Sequence, residues 1–385
     1  MELTQVIVTK ITGKMQRLCG TVRYDDGFSE DYYFELPDNY NVSLSGNPWF
    51  ACLLPLAVTL GEDLTISLPI DPLLLNATDD LIKLWKTWYP QLHNIKIFAE
   101  TAVAPQQTKD CATFFSSGVD SYFTTVRHPN AKYMLITRGF DMPYSYVDEF
   151  DVHCARIAKS AQECGGELIP TATNIRDTRW SRCHWELLGH GPALNAIALL
   201  FEQHFGEVFI PSSYEYKILH PWGSHPMVDN LFTTSNVHFI HDGCGYSRTE
   251  KIKKLCQYDH VLKNLHVCFR GSDGLGQDQG NCCNCEKCYR TMVVLELLGK
   301  LEQATLFNNA PLTPEKLTLL YGDRIFLEEI YSFAIEMDNT ILARAIRQSI
   351  KRSNRIDWLK KLTKLPVIWR IAAFFYNREI KKSLT

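Results

Sequence analysis

Cysteine is the residue whose spacing says most about chemistry in this chain. In HVCFRGSDGLGQDQGNCCNCEKCYRTM, residues 266–292, Cys282, Cys285 and Cys288 form C-x2-C-x2-C, and Cys268 lies upstream across a glycine-rich segment. Short intervals let neighbouring sulfurs share one ion, and the glycine-rich segment brings in the distant fourth, which is what tetrahedral Zn²⁺ needs. Asn, Glu, Lys and Gly surround these thiols, which argues against burial as small hydrophobes. Cys283 falls out of phase and is expected to be a spectator. An iron–sulfur cluster is the alternative occupant.

A second group of small polar residues lies in FFSSGVDSYF, residues 114–123. It follows a short apolar run, CATFFS, and precedes a stretch that reads as a helix. A small-residue turn at the end of a strand aims several backbone N–H groups at one point, and the helix adds its positive end. Gly118 permits close backbone approach, and Ser116, Ser117 and Ser121 add hydroxyl donors. This is a cradle for phosphate oxygens. Asp120 would repel phosphate there unless a cation such as Mg²⁺ lay between them. The plainer alternative is that Asp120 or Ser121 caps the helix.

Other polar residues gather in loops. His190 sits between Gly189 and Gly191 at the start of a helix, facing a ligand or serving as a structural histidine. HPWGSHPMVD brings His220, Trp222, His225 and Asp229 into a loop stiffened by proline and glycine. Trp222 can stack on a planar substrate, while His225 and Asp229 can position a proton or an amine. An ordinary loop around a buried tryptophan is the alternative. Arg138 follows the strand-like AKYMLIT and reaches a nucleotide or acidic substrate, or lies on the surface. There is no G-x-S-x-G elbow and no GxxxxGK[ST] loop, so serine-hydrolase and Walker-type readings fail.

The elements that must hold these groups read as follows. TQVIVTKI, DYYFEL and DLTISL have strand character, and LIKLWKTWY has helical spacing. Residues 103–110 read as a linker. Beyond it, short apolar strands (CATFFS, AKYMLIT, ELIPTATN, EVFIPSS, VHFIH) alternate with helices (EFDVHCARIAKSAQECGG, GPALNAIALLFEQHFG), which implies a mainly parallel sheet. From residue 301 the chain reads as helical. The expected fold is therefore α/β. An N-terminal α+β domain at 1–108 precedes an open, mainly parallel sheet with helices on both faces at 109–300, and a helical region follows at 301–385.

With 45% hydrophobic and 22% charged residues over 385 positions, the chain has ample material for a large core. A net charge of -3 does not favour non-specific nucleic-acid binding. Residues 351–382 are locally basic, which suits a solvated helix pair or an RNA or membrane-surface contact. The thirteen cysteines lie in a long chain whose start carries no export signal, favouring reduced thiols and a metal site. The longest apolar stretch, WFACLLPLAVTL, is too short to span a bilayer and contains Pro55. A cytoplasmic protein without a spanning segment is expected.

SSGVDS resembles the SGGxDS loop of the N-type ATP pyrophosphatases, the PP-loop superfamily. Ser117 stands where that pattern has glycine. One cysteine, a loop, then CxxCxxC followed by Arg290 and an apolar helix resembles the metal site of the 7-cyano-7-deazaguanine synthase-like members. GYSRTEKIKKLC resembles the helix before it, with Ser247 and Glu250 forming a capping box. The resemblance covers roughly residues 109–300 and has no counterpart for residues 1–108.

It implies a PP-loop fold of the HUP type binding ATP through Ser116, Ser117, Gly118, Val119, Asp120, Ser121 and Arg138, with Mg²⁺ at Asp120 and Zn²⁺ at the cysteines. Catalytic roles fall on Asp120 and Ser121; the resemblance does not match substrate-recognition residues between Trp180 and Asp229, so a catalytic role for His190 and substrate contacts at Trp222, His225 and Asp229 rest on their loop positions alone. The implied activity is that of a ligase. It adenylates a carboxylate or amide of a small molecule or modified base, releases pyrophosphate and transfers nitrogen. Residues 1–108 are then expected to serve substrate capture or homodimerisation. Sulfur transfer to RNA, with Cys183 or Cys244 as the reactive thiol, and a non-catalytic zinc module with a degenerate loop are the alternatives.

Overall fold

The computed structural model describes residues 1–268, 280–308 and 310–362. Its strands are β1 (Glu2–Ile11), β2 (Met15–Arg23), β3 (Ser29–Pro37), β4 (Leu64–Ile66), β5 (Ile97–Phe98), β6 (Asp110–Phe114), β7 (Tyr133–Arg138), β8 (Glu167–Thr173), β9 (Phe205–Pro211) and β10 (His238–Asp242). They form one sheet in the order β10-β9-β6-β7-β8-β3-β2-β1-β4-β5. From β10 to β8 every neighbour is parallel. β8 to β3, β3 to β2 and β2 to β1 are antiparallel. The fold is α/β as expected, but the sheet is mixed rather than mainly parallel along its whole width.

The expected division at 108/109 is not where the protein parts. β3 pairs with β8 through Phe34–Thr173 and Glu35–Ala172, so the N-terminal strands extend the same sheet. That pairing satisfies backbone groups which an isolated hairpin would leave open along its edge. Two compact units result: residues 1–116 with 120–246, and residues 117–119 with 247–385. All ten strands belong to the first unit. The expected boundary at 300/301 falls inside the second.

Strand β2 has no obvious hydrophobic alternation in the sequence. Its inward residues are Gln16, Leu18, Gly20 and Val22. Gly20 is required there because a Cβ would lie 2.6 Å from the Trp49 ring. That tryptophan belongs to the helix Asn47–Leu60, whose first twelve residues are buried. It packs against the equally apolar helix His190–Leu199, and the Trp180 indole N–H donates to the Cys52 carbonyl at 2.7 Å. Helices apolar on all sides belong in a core.

The second unit is helical among the described residues after β10. Its helices include Arg248–Leu255, Glu286–Leu297, Pro314–Leu319, Arg324–Glu336 and Thr340–Leu362. The expected capping box is present: Ser247 Oγ accepts from Glu250 N–H at 3.2 Å, and Glu250 Oε2 accepts from Ser247 N–H at 2.8 Å. Among the described residues no helix is long and apolar enough to cross a membrane. The basic stretch at 351–382 is described only to residue 362, and the rest of that expectation lies outside the described residues.

Candidate functional site

The five parallel strands are visited in the spatial order third, second, first, fourth, fifth (β8, β7, β6, β9, β10). Chain direction along the sheet reverses between the first and fourth, β6 and β9. In open α/β sheets ligands bind beyond the carboxyl ends of the strands at such a reversal. The turn bearing Ser116, Ser117 and Gly118 leaves the carboxyl end of β6 there and enters the helix Val119–Arg127.

The turn has an unusual backbone. Ser117 has φ +57°, and the left-handed conformation falls on it rather than on Gly118. Ser117 is buried, and its hydroxyl has no hydrogen-bond partner. Its carbonyl accepts from the His266 N–H at 2.9 Å. A serine there costs about 1 kcal/mol relative to glycine. Ser116 is exposed, and its N–H donates to Ser121 Oγ at 3.3 Å, so that hydroxyl ties the turn to the helix. Val119 is buried, whereas Gly118 and Asp120 are half-buried. The helix is anchored at its far end by Asp242 on β10, which accepts from Thr124 Oγ1 at 2.9 Å and Arg127 Nη1 at 2.8 Å and meets His128 Nε2 at 3.0 Å.

The remaining expected residues divide. Arg138 ends β7 but turns away from the role assigned to it. It is buried, pairs with Glu35 of β3 at 3.4 Å, donates to the Tyr144 carbonyl and lies over the Tyr144 ring at 4.5 Å. Its charge serves the junction between the two halves of the sheet, which sequence spacing did not reveal. His225 is a cap: its Nδ1 accepts from Met227 N–H at 3.1 Å at the start of Pro226–Asp229, and its ring meets Trp88. Burial holds it below the ordinary histidine range. Trp222 is half-buried and meets the rings of His220 and Tyr214, each at 5.6 Å. Burial likewise holds His190 low, and its Nδ1 has no partner.

Asp229 is fully buried rather than open to a substrate. Its Oδ2 accepts from Ser224 Oγ at 2.8 Å and from His241 Nδ1 at 2.6 Å. Burial lowers the proton affinity of His241, but its hydrogen bonds to Asp229 and Cys244 outweigh that and raise its pKa to about 9. The Cys244 thiol in turn donates to Ser212 Oγ at 3.1 Å. His241, Asp242 and Ser212 carried no motif in the sequence. Their signal was positional: EVFIPSS and VHFIHDGCG each end an apolar strand in polar residues, and the carboxyl edge of a parallel sheet is where such residues gather.

The cysteines converge in the second unit. The Sγ atoms of Cys268, Cys282, Cys285 and Cys288 all lie within 4.8 Å of one another. Three of the separations are 3.8, 3.8 and 3.5 Å. A tetrahedron with metal–sulfur bonds of about 2.3 Å has edges of about 3.8 Å, so the donor set fits a single ion such as Zn²⁺. Cys285 and Cys288 sit at the start of Glu286–Leu297, where the helix end favours thiolates.

Hydrogen bonds from Cys285 and Cys288 pull the Cys268 thiol well below its usual range. Donating to it pushes Cys285 up to about 12 and Cys288 higher. A divalent cation removes this competition by displacing the protons. Asn281 braces the centre, accepting from Val267 N–H at 2.7 Å and donating to the Leu265 carbonyl at 2.9 Å. Cys283 points elsewhere, to the carbonyls of Asn281 and Phe307. Arg290 lies against Glu286 and over the Phe326 ring. The glycine-rich segment before Cys282 lies outside the described residues.

Comparison with protein-family profiles, with curated proteins and with solved structures found no match to this chain.

Proposed function

We propose that this protein is a PP-loop ATP pyrophosphatase, a ligase that adenylates a carboxylate or amide oxygen, releases pyrophosphate and passes the activated carbon to a nitrogen nucleophile. The observation that carries the reading is the position of the 115–118 turn at the reversal between β6 and β9, directly before a helix. The sequence pattern SSGVDS and the four-cysteine centre downstream support it.

In this reading the turn and the helix end receive the triphosphate, and Asp120 holds Mg²⁺ against it. Trp222 stacks on a planar substrate. The protein's contribution is alignment and charge neutralisation. Zn²⁺ on Cys268, Cys282, Cys285 and Cys288 is structural, because four thiolates leave no open coordination position. His266 connects this centre to the turn through Ser117.

Titration of the full chain with MgATP by calorimetry tests the reading. Binding by the natural protein and its loss by about tenfold or more in Asp120→Ala is the expected outcome. No heat of binding from the natural protein would leave a zinc-bearing scaffold instead.

A further inference from the structure

We propose that the outer edge of β1 is an interface between two copies of this chain, paired antiparallel about a two-fold axis at Ile7. β1 runs from Glu2 to Ile11 and pairs along its length with β2 on one side. On the other side β4 pairs with Glu2 and Leu3 alone. Thr4 is an extra residue in the ladder with β2, and the regular strand continues from Gln5 to Ile11. Beside those residues no further strand lies on the outer side among the described residues.

Backbone N–H and C=O groups of a strand point alternately to its two sides. Those of Gln5–Ile11 that point away from β2 make no ladder bond among the described residues. Another extended backbone is the partner that satisfies such a row.

The side chains do not defend this edge. Solvated edges are kept apart by short length, proline or charge. β1 has ten residues and no proline, and Val6, Ile7, Val8 and Thr9 are β-branched in succession. Ile7 is 46% exposed and Val8 41%, and neighbours along a strand point to opposite faces, so both faces present apolar surface at the edge. Lys10 is the one charged residue from Leu3 to Ile11, and it pairs with Asp38 of its own chain at 3.8 Å.

The order of residues selects a second copy as the occupant. A two-fold axis normal to the sheet keeps each side chain on its own face, so only residues whose numbers sum to an even total stand opposite each other. With the axis at Ile7, Ile7 meets the partner's Ile7, Val6 meets the partner's Val8, and Gln5 meets the partner's Thr9. Apolar residues face apolar ones and polar face polar, the pairing that stabilises adjacent strands. Lys10 falls beyond these pairs, so no like charges meet. Moving the axis by one residue to Val8 would set Val6 against the partner's Lys10 and Ile7 against the partner's Thr9. The pairing joins two sheets into one. It lies beyond β7, β8, β3 and β2 from the strand β6 and does not depend on the ATP reading.

Sedimentation velocity of the zinc-loaded full chain, from about 1 to about 100 μM, tests the proposal. A single strand edge is a small interface, and a dissociation constant on the order of micromolar is expected. Hydrogen exchange at Gln5–Ile11 is expected to slow as the concentration rises through that range. Ile7→Lys sets like charges against each other at the axis and is expected to raise the dissociation constant by about a hundredfold or more. Ile7 is exposed, so the zinc content and thermal midpoint of the dilute variant are expected to match those of the natural protein. Single chains at about 100 μM overturn the proposal. So does a dimer that Ile7→Lys leaves intact, or one whose exchange protection falls outside β1.

Discussion

The four-cysteine centre and the carboxyl edge of the parallel strands are both built from short polar segments, but they are held in different ways. Three ligands of the cysteine centre come from seven consecutive residues, and the fourth is pinned by one asparagine side chain. The edge draws Ser116, Ser212, Asp229, His241 and Cys244 from segments spread over more than a hundred residues of sequence. Local geometry assembles the first, and strand order assembles the second. Within the second unit, His266 N–H donates to the Ser117 carbonyl.

The largest effect that separates them is metal loss. Cys288→Ser is expected to strip the chain of zinc, measured by atomic absorption, and to abolish amide-exchange protection across residues 247–268 and 280–308. Structural zinc contributes on the order of 10 kcal/mol in small domains. If the His266–Ser117 bond couples the regions, the same variant weakens MgATP binding by about tenfold. Unchanged affinity in a metal-free chain would show that the edge is independent of the centre.

A pH series addresses the edge alone. The folded pKa of His241 is raised from 6.5 to about 9, so its stabilisation is full below about pH 6.5 and is lost as pH rises through about 9. An upper bound on that contribution is about 3 kcal/mol. His190 and His225, whose pKa values are lowered by burial, act in the opposite sense and cost stability as pH falls below 6.5. Thermal melts from about pH 6 to about pH 10 are expected to show an alkaline decline that Asp229→Asn flattens. An identical decline in the variant would place its origin elsewhere.

Smaller still is the backbone of the turn. Ser117→Gly relieves a left-handed serine and removes a buried hydroxyl without a partner, and is expected to raise stability by about 1 kcal/mol in a denaturant titration. The smallest effect belongs to the spectator: Cys283→Ser is expected to leave zinc content unchanged. Loss of metal in that variant would redraw the ligand set.

Much of the architecture was legible because each element carried its own pattern. The strands from 110 to 242 are short apolar runs, and the capping box at Ser247 and Glu250 is a local spacing rule. β2 was not legible, because its inward face includes Gln16 and Gly20, chosen by contact with the 37–40 turn and Trp49. Arg138 was placed on the correct strand end and given the wrong partner, since Glu35 lies on a strand about a hundred residues away in sequence. His225 and Asp229 were singled out for chemistry. One proves to be a cap, and the other is buried in a hydrogen bond to His241, which no motif marked.

By itself the sequence determined which cysteines converge, where the small-residue turn lies and which segments alternate as strand and helix. Those depend on spacings of a few residues, within which bond lengths and backbone geometry leave little choice. Only the tertiary structure decided that the N-terminal strands extend the same sheet, that Arg138 belongs to Glu35, and that His241 stands between Asp229 and Cys244. Such pairings are set by strand order and by the burial of charges that must find partners wherever the fold brings them.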